Sequence, residues 1–307
     1  MVTGAGAIAL DSLRGLALGD GFGERWFHRE NREAIEMIRA RQIPSESPWY
    51  WTDDTAMALT IVHMLHRHGQ IRQDGLAQMF GATYQADPYR GYGYGMTVLL
   101  PRLAADPGTW NAHARALFGG QGSLGNGAAM RAAPLGAWFC SDPGAAREQA
   151  NLAAEVTHAH PEGTSGAVAV ALTAALAAAS RGGPAPDPRS FLEDAADQVP
   201  GPIGDGIAAA AALDPETPAW KAADLLGNGQ RVRASDTVPF ALWSAAHHLD
   251  DLPGALWTTA EGLGDIDTTC AITAGVVAAR TGLAGIPPAW LELAEPLPDW
   301  TQALTSA

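Results

Sequence analysis

Two short motifs carry most of the chemistry this sequence could perform. The first is Trp51-Thr-Asp-Asp-Thr55, where adjacent carboxylates stand between hydroxyls. The second is Gly264-Asp-Ile-Asp-Thr-Thr269, where Asp265 and Asp267 flank one apolar residue and can turn to the same side. Neighbouring carboxylates repel, and keeping them ionised together is costly without a cation. Carboxylate and hydroxyl oxygens form the ligand set that hard ions such as Mg²⁺, Mn²⁺ or Ca²⁺ prefer. Each motif also stands just before an apolar helical pattern, so Thr52, Asp53 or the acids of the second motif can serve as helix caps. The two readings are compatible. Two such clusters in one chain favour ligation: together they offer four carboxylates and several hydroxyls, which suits two ions held roughly 3.5–4 Å apart.

Three further segments hold candidate binding residues. Gly122-Ser-Leu-Gly-Asn-Gly-Ala-Ala-Met-Arg131 has the glycines to wrap a ligand, and a helix starting near Gly127 would turn N–H groups towards a phosphate. Such a turn can equally be only a loop. Arg131 can meet a phosphate or fix its helix to a buried carboxylate, and the structural role is favoured. Thr157-His-Ala-His-Pro-Glu162 lacks zinc spacing and a nearby Cys. His158 therefore reads as substrate-facing and His160 as structural. Residues 15–26 read as a small-residue helix followed by a turn, with Asp20 as a cap and Glu24 as a carboxylate near the site.

The elements that must position these groups are helices. Apolar residues recur at helical spacing over 57–68, 72–86, 145–157, 163–180, 240–249 and 268–280, with no convincing alternating strand. Pro- and Gly-rich connections such as residues 181–188 and 285–288 punctuate them without a shift in composition, which predicts one domain over 1–307. Of the 307 residues, 47% are hydrophobic and 17% charged, enough for a large core and too apolar for a disordered chain. The formal net charge of −14 disfavours broad binding to nucleic acid or anionic lipid. Two cysteines, Cys140 and Cys270, make no disulfide framework and fit a reducing compartment. The N-terminus lacks a secretory pattern, and the Ala-rich run 167–179 reads as a buried helix too short to cross a bilayer. The expected location is cytoplasmic.

In order along the chain stand Leu18-Gly-Asp20 with Gly23, Thr52-Asp-Asp-Thr55, Gly125-Asn-Gly-Ala-Ala-Met-Arg131, Thr157-His158 and Gly264-Asp-Ile-Asp-Thr268. This series resembles the ADP-ribosylglycohydrolase family, from Leu13 to about Gly282. Each motif is weak alone; five in one order are specific. Segments 90–95 and 236–242 also look like family positions. The resemblance implies an all-α orthogonal helical bundle, two Mg²⁺ or Mn²⁺ ions, and hydrolysis of the bond joining ADP-ribose to an acceptor. It implies Thr52, Asp53, Asp54, Asp265, Asp267 and Thr268 as metal ligands. Ser123, Gly125, Asn126, Gly127, Met130, His158 and Tyr92 are implied around the ADP-ribose. Many members carry a glutamate slightly beyond Glu24, where this chain has Phe27, so the proton-transfer role falls to Glu24, Asp53 or Asp54. The expected partner is ADP-ribose or an ADP-ribosylated substrate, with no membrane. The rival readings are an inactive ADP-ribose-binding or structural relative, and a metal-dependent phosphoesterase, which uses similar two-ion chemistry.

Overall fold

The computed structural model describes residues 4–305. Among these there is no β-strand; only the isolated bridges Trp49–Ala294 and Gly125–Arg233 pair extended backbone. The chain opens with α1 (Ala5–Glu24), α2 (Asn31–Arg39), α3 (Asp53–His68), α4 (Gln73–Ala86), α5 (Tyr94–Ala105) and α6 (Trp110–Gly120). It continues through α7 (Ala133–Trp138), α8 (Pro143–Glu155), α9 (Pro161–Ala179), α10 (Pro188–Ala196) and α11 (Pro202–Ala211). It closes with α12 (Ala219–Leu226), α13 (Ala234–His247), α14 (Leu252–Ala260), α15 (Ile266–Thr281) and α16 (Pro288–Leu293). The architecture is all-α.

The most extensive helix pair joins the two ends of the sequence, α1 and α15. Gly15, Gly19 and Gly23 recur every four residues and so form one stripe along α1. A methyl group built on Gly15 would stand 2.6 Å from the Ala274 carbonyl oxygen, and one on Gly23 would stand 2.6 Å from the Asp267 nitrogen. A methyl on Gly19 would overlap the Cys270 carbonyl. The missing side chains let the helices touch backbone to backbone, and this sets the start of α15 against the end of α1. An aromatic cluster fixes that end of α1: Phe22 stacks on Trp290 and meets Trp257 edge-on, both at 5.2 Å between ring centres.

Most helical patterns became helices, with boundaries moved for local reasons. The 57–68 pattern starts at Asp53, because extended Thr52 ends the preceding segment and the two acids enter the first turn, where the helix dipole favours them. It stops at Gly69, which takes a left-handed φ of 69°. The 240–249 pattern starts earlier, at Ala234, and runs through Pro239. Gly206 faces that ring and has no side chain to obstruct it. The helix expected near Gly127 is only a 3-10 turn, Asn126–Ala128; regular helix begins at Ala133, with Pro134 in its first turn. The Ala-rich run belongs to the 19-residue α9, which by length and composition alone could cross a bilayer; 78% of its apolar window is buried inside the fold.

Candidate active site

The site begins with a buried carboxylate from outside the helix it caps. Asp20 lies inside α1, fully buried, and does not cap its own helix as its sequence position suggested. Thr52 N–H donates to it at 2.9 Å, Thr55 N–H at 3.1 Å and Thr55 Oγ1 at 2.6 Å. Asp20 thus satisfies the free N–H groups at the start of α3 and places a negative charge at the positive end of that helix. Thr52 occupies the N-cap position of α3, but its own capping bond from Asp54 N–H is long, at 3.4 Å. Asp53 N–H donates to the Arg90 carbonyl at 2.6 Å, which ties the segment before α5 to the same spot.

The second carboxylate group stands at the start of α15. Asp265 occupies the N-cap position without a capping bond from its side chain. Its Oδ2 instead accepts from Asn126 Nδ2 at 2.6 Å, while the other Asn126 amide hydrogen serves Thr237 Oγ1 at 3.0 Å. Asn126 therefore fastens the glycine-rich loop to α15 and α13. Asp267 Oδ1 accepts from Thr268 N–H at 2.8 Å.

These pieces line one cleft of ≈ 610 Å³, whose walls include Asp53, Asp54, Asp265, Asp267 and Thr268. The opposite wall is the loop 121–127 with Met130 and His158. Two bonds pin this loop to the segment before α13: Asn126 N–H to the Val232 carbonyl at 3.3 Å, and Ala234 N–H to the Leu124 carbonyl at 3.1 Å. Glu162 anchors the same segment, accepting from Arg233 Nη2 at 2.7 Å and Ser235 Oγ at 2.6 Å. At the rim stand Tyr94, Phe118, Arg231 and Val232, all largely exposed. Phe118 and Val232 take left-handed backbone conformations, φ 51° and 54°, which cost L-residues energy and are held only by their surroundings.

A family profile described as ADP-ribosylglycohydrolase matches residues 7–307. The chain belongs to the ADP-ribosylglycohydrolase family. ADP-ribosylhydrolase ARH3 of Homo sapiens is 33% identical over 177 residues, covering 54% of this chain and 48% of that protein. The Mus musculus protein of the same name is 38% identical over 130 residues, 42% of this chain and 35% of that one. The chain thus spans about half the length, or less, of these curated relatives. A solved structure titled ADP-ribosylglycohydrolase-related protein complex aligns with a TM-score of 0.64 over 98% of this chain and 96% of that one, at 23% identity. At that identity the likeness speaks for the fold.

Within this ADP-ribosylglycohydrolase cleft the carboxylates crowd one another. Burial and the neighbouring charges of Asp20 and Asp265 push Asp53 up to about 8. Burial pushes Asp20 up to about 6 against its four hydrogen bonds. Asp54 and Asp267 are raised by burial first and then by the other carboxylates; Asp265 is raised mainly by burial. Asp54 Oδ1 is buried and accepts no hydrogen bond. Among the described residues no three Asp, Glu, His or Cys side chains are drawn together into a formed ion cage.

Several expected site residues lie elsewhere. Glu24 ends α1 and does not line the cleft; its Oε1 lies 3.4 Å from His28 Nε2. Helix α1 delivers Gly23, not the next side chain, into contact with the start of α15. Tyr92 lines an adjoining cavity of ≈ 280 Å³ with Trp51, Arg90 and Trp300. Gly91 and Gly93 on either side of it do reach the cleft. Thr52 is buried behind Asp54, with its Oγ1 3.2 Å from Asp54 Oδ2. His160 caps α9, its Nδ1 accepting from Glu162 N–H. Arg131 is buried without a carboxylate partner, over the ring of Phe80 at 4.6 Å. Sequence reading missed Phe118, Arg231 and Val232, and met Tyr94 only within segment 90–95. Exposure of an aromatic at a cleft rim leaves no local pattern; only the Gly119-Gly120 pair after Phe118 hints at the unusual backbone.

Proposed function

We propose that this protein hydrolyses the glycosidic bond between ADP-ribose and an acceptor, with two divalent ions, Mg²⁺ or Mn²⁺. The observation that carries the reading is the convergence of Asp53, Asp54, Asp265 and Asp267 on one cleft that also holds a glycine-rich loop and His158. The donor set fits hard cations: every group is an oxygen, and Asp54 Oδ1 is buried with no partner. Asp53, Asp54, Asp265, Asp267 and Thr268 line the cleft and would hold the ions, with Thr52, expected among them, behind Asp54. When bound, such ions polarise ribose hydroxyls and lower the pKa of a water molecule.

The chain's own groups supply the rest. Ser123, Gly125, Asn126, Gly127 and Met130 lie along the diphosphate and ribose, with the Arg231 guanidinium at the rim as a charge partner for phosphate oxygens. The exposed Phe118 ring offers a stacking face for adenine. Asp53 or Asp54 takes a proton from water as its oxygen attacks the anomeric carbon; the bond to the acceptor breaks, and the acceptor leaves with a proton in place of that bond. The positive charge that builds on the ribose ring is stabilised by these carboxylates. The acceptor is a modified protein side chain, a nucleobase or a small molecule. A panel of substrates ADP-ribosylated on arginine, serine, nucleobase and small-molecule acceptors tests this, with Mg²⁺, Mn²⁺ or EDTA. Free ADP-ribose should appear only with metal. Release of inorganic phosphate instead, or no product from any substrate, would overturn the reading.

A further inference from the structure

Arg131 is a fully buried guanidinium that forms no salt bridge among the described residues, although the Asp53 carboxylate is near enough to act on it, and burying such a charge is expensive unless it does something specific. Its Nη1 donates to Met57 Sδ at 3.3 Å, and its Nη2 donates to the Ala153 carbonyl at 3.3 Å and to Thr157 Oγ1 at 2.7 Å. Thr157 Oγ1 also lies 2.8 Å from His158 Nδ1 and 3.5 Å from the Ala154 carbonyl. A guanidinium can only donate, so Thr157 Oγ1 accepts from Arg131 and has one proton left to give. The Ala154 carbonyl is beyond the usual reach of a hydroxyl donor, whereas His158 Nδ1 is within it. Were Nδ1 protonated, two donors would face one oxygen while the hydroxyl proton had only the distant carbonyl. The arrangement therefore makes Nδ1 an acceptor and puts the ring proton on Nε2.

We propose that Arg131 and Thr157 are positioning residues that fix His158 as its Nε2–H tautomer, so that it presents one hydrogen-bond donor to an acceptor oxygen of the bound ligand. The geometry on the far side of the ring agrees. His158 lines the cleft, and among the described residues Nε2 bonds to no protein group. The ring edge faces Gly125 and Gly127; a methyl group on Gly127 would stand 3.1 Å from Nε2, so these two positions leave that edge open. Burial and the nearby Arg131 charge also hold the ring neutral, at about 3, so no second proton competes at Nδ1. A neutral ring with one fixed donor discriminates for oxygen acceptors, such as ribose hydroxyl, ring or phosphate oxygens. That the ligand is ADP-ribose rests on the function proposed above.

The test is the imidazole ¹⁵N spectrum of the full chain, recorded by long-range ¹H–¹⁵N correlation. His158 is picked out from the nine histidines by its loss in His158→Gln. The wild-type protein should show an unprotonated Nδ1 and a protonated Nε2. Thr157→Val should redistribute the proton between the two nitrogens and weaken ADP-ribose binding about tenfold by calorimetry, the loss of one neutral hydrogen bond. Thr157→Ser, which keeps the hydroxyl, should restore both. A wild-type ring protonated on Nδ1 overturns the proposal. An unchanged tautomer in folded Thr157→Val also overturns it. An Nε2–H ring that responds to Thr157→Val in a protein that never binds ADP-ribose upholds the relay and removes the proposed function instead.

Discussion

Asp54 and its neighbours show how buried charge constrains a site. Four cleft carboxylates and Asp20 share a volume where burial and neighbouring charges raise the proton affinity of Asp53, Asp54 and Asp267. If they serve one reaction, Asp53→Asn and Asp267→Asn should each lower turnover on the order of 10³-fold, and the double variant should be little worse than either. Losses that multiply in steady-state kinetics would put the two groups in separate sites. Glu24→Gln should keep nearly the full rate, since Glu24 faces His28 outside the cleft; a fall of 10²-fold or more would return it to proton transfer. His158 gives a pH prediction. Its folded value, about 3, lies below the ordinary 6.5. Between these values the unfolded chain binds a proton that the folded chain refuses, so unfolding takes up protons. The stability conferred by the neutral ring is complete above pH 6.5 and is lost as pH falls through that window. Denaturant melts from pH 7 to pH 4 should therefore show wild type losing more stability than His158→Gln. Equal slopes would mean that the ring titrates normally.

Helix α1 works as a spacer made of absent side chains. Gly15, Gly19 and Gly23 let α15 approach closely enough for its first turn to share a cleft with the first turn of α3. Gly19→Ala should destabilise by about 1–3 kcal/mol, because the added methyl meets backbone that has no room to move. Melting should drop by several degrees and metal-dependent activity should fall with it. Gly183→Ala is the control: its nearest neighbour would be the Ser180 carbonyl oxygen at 3.7 Å, so its melting temperature should barely change. Equal shifts for the two variants would refute the close-contact account.

At the scale of the whole molecule, the cleft is a charge trap that a ligand should relieve. EDTA-treated protein should melt lower than protein in Mg²⁺ or Mn²⁺, because a cation removes the repulsion among the buried carboxylates. ADP-ribose added with metal should raise the midpoint further, by the equivalent of about 2.7 kcal/mol at 100 times its dissociation constant. Thermal scans with metal alone, ADP-ribose alone and both separate the contributions. No shift in any of them would speak against both the ions and the nucleotide.

The sequence by itself determined the helical class and the two acidic motifs. Period-3.6 patterning and the order of short motifs are local properties, and local properties survive in a linear string. Thr52 before α3 and Gly69 after it were likewise legible, since capping and left-handed turns depend on one or two residues. Tertiary structure alone decided that Asp20, read from the sequence as a cap of its own helix, would cap a helix 32 residues away, because that requires knowing which helices touch. It alone took Glu24 out of the cleft lining, since one residue of helical rotation turns a side chain by about 100° and no spacing rule fixes which face meets the ligand, and it alone put Tyr92, in the loop before α5, into a neighbouring cavity. It alone joined Arg131 to His158 through Thr157, because donors and acceptors are matched by distance in space.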